Sequence, residues 1–155
     1  GVRRIMKIIA ALSLGLAMLV SSQPIGAFSI EFLSAGYIPG RPTVTDSFLD
    51  SVEDKEAADR AIAHNFQLMQ RVSHIKYQVT GSTDGQECSG SNCLELALRR
   101  ARLFQAALVE AGAPTSMFCP PKAVVTPWPS SYTPQQGHLV IGRQANLEPV
   151  FNECA

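Results

Sequence analysis

The chain has no excess of either charge, few aromatic residues and no apolar run long enough to cross a bilayer. Thirteen Lys and Arg residues balance thirteen Asp and Glu residues, so the formal charge at pH 7 is zero. A nucleic-acid partner requires a clustered basic surface, and the charge of −3 that remains once Arg3, Arg4 and Lys7 are removed with the leader argues against that class. His64, His74 and His138 are scattered and fall in no ligand spacing with the cysteines, which predicts no metal site. No G-x-S-x-G elbow occurs, because Gly81-Ser82-Thr83-Asp84-Gly85 has the wrong order. His138 has no Ser or Cys partner in any pattern that would activate a nucleophile. These absences predict a protein that is not an enzyme and uses no cofactor.

The N-terminus carries the longest apolar stretch. Arg3, Arg4 and Lys7 precede Ile8 to Val20, 13 apolar or small residues, after which the chain turns polar. A spanning helix needs roughly 20 such residues, so the stretch reads as a signal peptide over residues 1–27, cleaved after Ala27. Removal of its three basic residues leaves 10 basic against 13 acidic, a charge of −3. No membrane span is then expected. Residues 28–155 suit one domain with a hydrophobic core.

All four cysteines, Cys88, Cys93, Cys119 and Cys154, fall in that domain. An even count in an exported chain favours two disulfides. Three pairings are possible. The preferred one joins Cys88 to Cys93 across a short loop and Cys119 to Cys154 near the C-terminus.

Hydrophobic periodicity predicts the elements. Ser29 to Tyr37 is rich in Ile, Phe and Leu and reads as a strand, ended by Pro39-Gly40. Asp46 or Ser47 caps a single helix with apolar residues at Phe48, Val52, Ile62, Phe66 and Met69. Ile75 to Thr80 alternates cleanly as a second strand. Gly81 to Cys93 is a polar loop, and a second helix runs from about Leu94 to Ala111 until Gly112 and Pro114 stop it. Short strands follow at Lys122–Thr126 and His138–Gly142, separated by the proline-punctuated loop Pro127–Pro134. The order β-α-β-α-β-β predicts an α+β fold with two helices packed on one face of a mixed sheet.

Asp84 sits at the exit of the second strand, and Arg100 lies inside the helix that follows. Two opposite charges on neighbouring elements can grip a zwitterion, the carboxylate taking an ammonium and the guanidinium forking a carboxylate. Arg100 borders the apolar stripe of its helix, four residues after Leu96 and three before Leu103. This pattern resembles the OmpA-like peptidoglycan-binding domain family, whose signature is G-x-T-D, about ten residues, then L-S-x-x-R-A-x-x-V-x-x-x-L. Gly81, Thr83, Asp84, Leu96, Ala97, Arg100, Ala101, Phe104 and Leu108 fall on those positions.

The resemblance covers about residues 80–140 and implies an OmpA-C-terminal-like layout. It also implies non-covalent binding of peptidoglycan, with Asp84 and Arg100 holding the diaminopimelate side chain of the stem peptide. Thr83 would orient Asp84 or touch the ligand, and Asn92 lies beside a position where the family carries asparagine. Arg99 is the alternative ligand arginine, because the segment from Asp84 to Leu96 is one residue longer than usual. The chain departs from the family at Gln136–Val140, where an N-R-R-V-type segment is usual, and in the two cysteines of its loop. A location in the periplasm or cell envelope follows from the resemblance and the leader. The alternative is an exported protein-interaction module of an envelope machine, contacting envelope proteins through the same fold with a degenerate wall-binding site.

Overall fold

A computed structural model describes residues 30–126 and 142–155. The expected leader, the expected loop Pro127–Pro134 and His138–Ile141 of the expected last strand lie outside the described residues. The elements in chain order are β1 (Ala35–Gly36), α1 (Phe48–Ser51), α2 (Lys55–Arg71), β2 (Lys76–Thr83), α3 (Ser91–Glu110), a 3-10 turn at Thr115–Met117, β3 (Lys122–Val125) and β4 (Gln144–Val150). One sheet has the order β1-β4-β2-β3. β4 runs antiparallel to both β1 and β2, whereas β2 and β3 are parallel. The α+β class and the mixed sheet expected from the sequence are the ones observed.

β2 is the axis of the domain because both its faces are covered for most of its length. Tyr77, Val79, Gly81 and Thr83 alternate onto one face and are fully or almost fully buried. Residues of α3 pack there: Leu96, Ala97, Ala101, Phe104 and Leu108 recur at helical spacing and are buried. α2 closes the core with Ala58, Ile62 and Met69, alongside Tyr37, Val52, Ala145 and Leu147. Gly81 sets how near α3 comes. A β-carbon at that position would lie 1.9 Å from the Ala97 carbonyl oxygen, so only glycine admits the helix at this distance.

Two expected elements differ in extent. The strand expected over Ser29–Tyr37 reduces to Ala35–Gly36 plus a bridge between Tyr37 and Val52. Asn65 of α2 takes over upstream, its side-chain Oδ1 accepting from the Leu33 N–H at 2.8 Å and its Nδ2 donating to the Leu33 carbonyl at 2.8 Å. A buried side-chain amide thus replaces a neighbouring strand. The single helix expected from Asp46 or Ser47 is two helices. Ser47 caps α1 through Asp50 N–H, Val52 turns extended, and Asp54 caps α2 by accepting from Ala57 N–H at 2.9 Å. Two good N-caps seven residues apart start two helices.

Beyond the expected last strand, of which only Gly142 is described, the chain forms a strand that the sequence did not suggest. Gly142 is in a turn with φ 86°, and β4 begins at Gln144. β4 is central where it pairs with β1 through Gln144 and Ala145, but it has only β2 beside it further along. Pro149 falls in that one-sided stretch, opposite Tyr77. A proline is tolerated there because the missing N–H would face away from any partner.

Candidate functional site

The strand, the helix and one loop place the charged residues. β2 ends at Thr83, and its pairing with β3 continues one step, the Thr126 N–H donating to the Thr83 carbonyl at 2.7 Å. Asp84 follows immediately and is 4% exposed. Its Oδ1 accepts from the N–H groups of Gln86 at 2.9 Å and Glu87 at 3.2 Å, an Asx-type turn that folds the chain back over the strand end. Its Oδ2 lies 3.3 Å from Nε of Arg143 as an ion pair without the alignment of a hydrogen bond. Gly142 makes room beside it, since a β-carbon there would come within 3.1 Å of the Asp84 Cα.

Arg100 projects from α3 toward the same strand end and is completely buried. Its Nε donates to the Arg41 carbonyl at 2.8 Å. Nη1 donates to the Ser82 carbonyl at 2.8 Å and to Glu87 Oε1 at 2.6 Å. Nη2 donates to the Ile38 carbonyl at 3.3 Å and to Glu87 Oε2 at 2.6 Å. A guanidinium has five N–H donors, and these five bonds use all of them. The Tyr37 ring stacks on the charge with its centroid 5.2 Å from Cζ, and the Tyr37 hydroxyl donates to the Arg100 carbonyl at 3.0 Å. Burial pushes the Tyr37 phenol well above its ordinary range, against a smaller downward pull from the Arg100 charge, so it stays a neutral donor.

Glu87 links the two halves. Its backbone N–H bonds Asp84, while its side chain, 2% exposed, forks Arg100 and also accepts from the Gly40 N–H at 2.8 Å. Reasoning from sequence passed over this residue. The signal available was a second acid in a polar loop beside a cysteine, which is indistinguishable from a solvated turn residue.

The other expected residues divide. Arg99 is turned away and donates from Nε to the Pro42 carbonyl at 3.1 Å, so the residue brought beside the Asp84 turn is Arg100. Thr83 is buried with its hydroxyl 3.5 Å from the Cys93 carbonyl, a β2–α3 contact and not a contact with Asp84. Asn92 is exposed in the first turn of α3, which starts at Ser91 and not near Leu94. Cys88 bonds Cys93, which holds the Glu87 loop against α3, and Cys119 bonds Cys154. The basic residue leading into the last described strand is Arg143, five residues beyond the middle of the segment where the sequence pointed to a departure.

No protein-family profile matches the chain, and no curated protein matches it in sequence. Its fold does match solved structures. The peptidoglycan-associated lipoprotein from Burkholderia pseudomallei superposes with a TM-score of 0.55 at 17% identity, covering 76% of this chain and 89% of that one. The OmpA-like domain of FopA1 from Francisella tularensis gives a TM-score of 0.53 at 12% identity, over 74% of this chain and 68% of that one. The periplasmic domain of Helicobacter pylori MotB (residues 97–256) gives a TM-score of 0.51 at 14% identity, over 74% and 78% respectively. With β2, α3 and β4 arranged around the Asp84 turn in this way, the chain has the fold of the OmpA-like domains.

Proposed function

We propose that this protein binds peptidoglycan non-covalently in the cell envelope after export, recognising the diaminopimelate residue of the stem peptide and catalysing no reaction. The observation that carries the reading is the Glu87 carboxylate forked by Arg100, in a turn where the Glu87 N–H donates to Asp84. A carboxylate is already the species that this guanidinium takes, with a fixed geometry and a backbone donor from Gly40. A diaminopimelate side chain ends in an ammonium and a carboxylate on one carbon. Asp84 meets the first charge and Arg100 the second. The fold shared with a peptidoglycan-associated lipoprotein supports the same ligand class.

A second reading has its own observation: every donor of Arg100 is bonded within the chain, and both oxygens of Asp84 are engaged there, Oδ1 by backbone N–H groups and Oδ2 by its ion pair with Arg143. That favours a domain that contacts envelope proteins and has lost its wall ligand. Co-sedimentation of the purified protein with diaminopimelate-containing sacculi separates the two. Pelleting that a soluble diaminopimelate muropeptide competes away is the expected result. Protein left in the supernatant at every sacculus concentration refutes wall binding.

A further inference from the structure

We propose that Glu87 is a built-in occupant of the Arg100 carboxylate site, bolted there by the Cys88–Cys93 disulfide, and that wall peptide binds by displacing it. The inference rests on the wall-binding reading above and adds how that site is held closed.

The geometry is that of a ligand mimic. Glu87 presents both oxygens to both terminal nitrogens of Arg100 at 2.6 Å, the bidentate arrangement that a free carboxylate adopts on a guanidinium. The remaining three N–H groups of Arg100 are spent on backbone carbonyls of Ile38, Arg41 and Ser82, which fix the fork in place. No donor remains, so an incoming carboxylate reaches Arg100 only when Glu87 leaves.

The tether makes departure unfavourable. Cys88 follows Glu87 directly and is bonded to Cys93 in the first turns of α3, the helix that also carries Arg100. The competing carboxylate is thus attached at both ends to the elements that form its receptor, which gives it a high effective concentration. Gly85 and Gly90, both with positive φ, bracket the arm and supply the turns that it needs to fold back. A site that is free one time in ten to one time in a hundred binds its ligand about tenfold to a hundredfold more weakly than an open one.

The test compares wild type, Glu87→Gln and the double variant Cys88→Ser/Cys93→Ser. Two measurements are made on each folded protein. One is calorimetric titration with a soluble diaminopimelate-containing muropeptide. The other is labelling of Arg100 by phenylglyoxal, an arginine-selective dicarbonyl, mapped by mass spectrometry. The double variant keeps the Glu87–Arg100 charge pair and remains informative if Glu87→Gln fails to fold. Muropeptide affinity about tenfold or more above wild type, with faster labelling of Arg100, is the expected result. Wild-type binding that matches or exceeds that of the folded variants, with Arg100 equally protected, overturns the occupant and leaves wall binding standing. Faster Arg100 labelling in the variants with no muropeptide bound by any protein supports the occupant and overturns the wall ligand.

Discussion

Gly81 lies so close to Ala97 that a methyl group on it would sit 1.9 Å from the Ala97 carbonyl oxygen and 2.9 Å from its carbon. The strand and the helix that carry Asp84 and Arg100 touch backbone to backbone at that point. Gly81→Ala must push α3 off β2, and the contact it meets is backbone, which cannot rotate away. The expected loss is about 3 kcal/mol or more, at the upper end for overpacking. Thermal or urea denaturation measures it, and an unchanged midpoint would show that the helix does not pack as described.

Asn65 offers a second structural test. It is completely buried, and its amide satisfies both backbone groups of Leu33. Asn65→Ala leaves an N–H and a carbonyl without partners, at a cost of about 2–3 kcal/mol. Asn65→Asp keeps the acceptor, loses the donor and buries a charge, so it should be no better than alanine near neutral pH. Hydrogen exchange at Leu33 N–H, faster in both variants, reports the local opening.

Much of this architecture was legible in the sequence, and the parts that were not have physical reasons. β2 shows because Ile75, Tyr77 and Val79 alternate with polar residues, and α3 shows because its apolar positions hold a strict helical spacing. β4 does not show, since only Ala145 and Leu147 are apolar among Gln144, Asn146 and Glu148 before Pro149 breaks the pattern; the strand survives because β2 pairs with it from Ala145 to Val150. β1 is over-read because an apolar stretch looks the same whether its backbone bonds go to a strand or to Asn65. In the site, Asp84 and Arg100 can be placed from the strand end and the helix face. Glu87 and Arg143 cannot, because their partners lie 13 and 59 residues away in sequence and only the tertiary fold brings them together.

The two disulfides differ in expected weight. Cys119–Cys154 spans 35 residues and ties the stretch beside β2 to the chain past β4, so the Ser/Ser variant should lose roughly 4 kcal/mol in the chain-entropy account. Cys88–Cys93 spans 5 residues and should contribute about half as much. Alkylation without reductant, read by mass spectrometry, should find none of the four cysteines modified; two or more alkylated thiols would contradict the pairing.

Stability should fall in alkali through Tyr37. Burial raises its folded phenol pKa above the ordinary value near 10, so the neutral phenol is the form that the fold holds. A group with a raised folded pKa contributes stability that is fully present below its unfolded pKa and lost as pH rises from there toward the folded value. Unfolding free energy should therefore decline above about pH 10. Tyr37→Phe removes this group and the bond to the Arg100 carbonyl, so it should cost roughly 1 kcal/mol at neutral pH and flatten the alkaline limb. The slope should not vanish, because burial also raises the Tyr77 phenol. An alkaline limb identical to that of wild type would mean that Tyr37 does not hold its proton as described.

The decisive functional variant is Asp84→Asn, because Arg100 cannot be removed cleanly. Arg100→Ala strands a buried Glu87 carboxylate, and Arg100→Lys has three donors where five are bonded, so either change mixes binding with folding. Asparagine at position 84 keeps an oxygen for the Gln86 and Glu87 N–H groups and so preserves the turn. It removes the negative charge that would meet the ligand ammonium and leaves Arg143 facing that charge. Binding to sacculi should weaken by roughly 2–3 kcal/mol, on the order of a hundredfold, with the melting temperature shifted by only a few degrees. Arg102→Ala, an exposed change on the same helix, should leave binding as it was. Arg99→Ala should cost a little stability through its bond to Pro42 and nothing in binding. If folded Asp84→Asn pellets with the wall as fully as wild type, the ammonium site lies elsewhere and the pairing of Asp84 with Arg100 as a zwitterion grip is wrong.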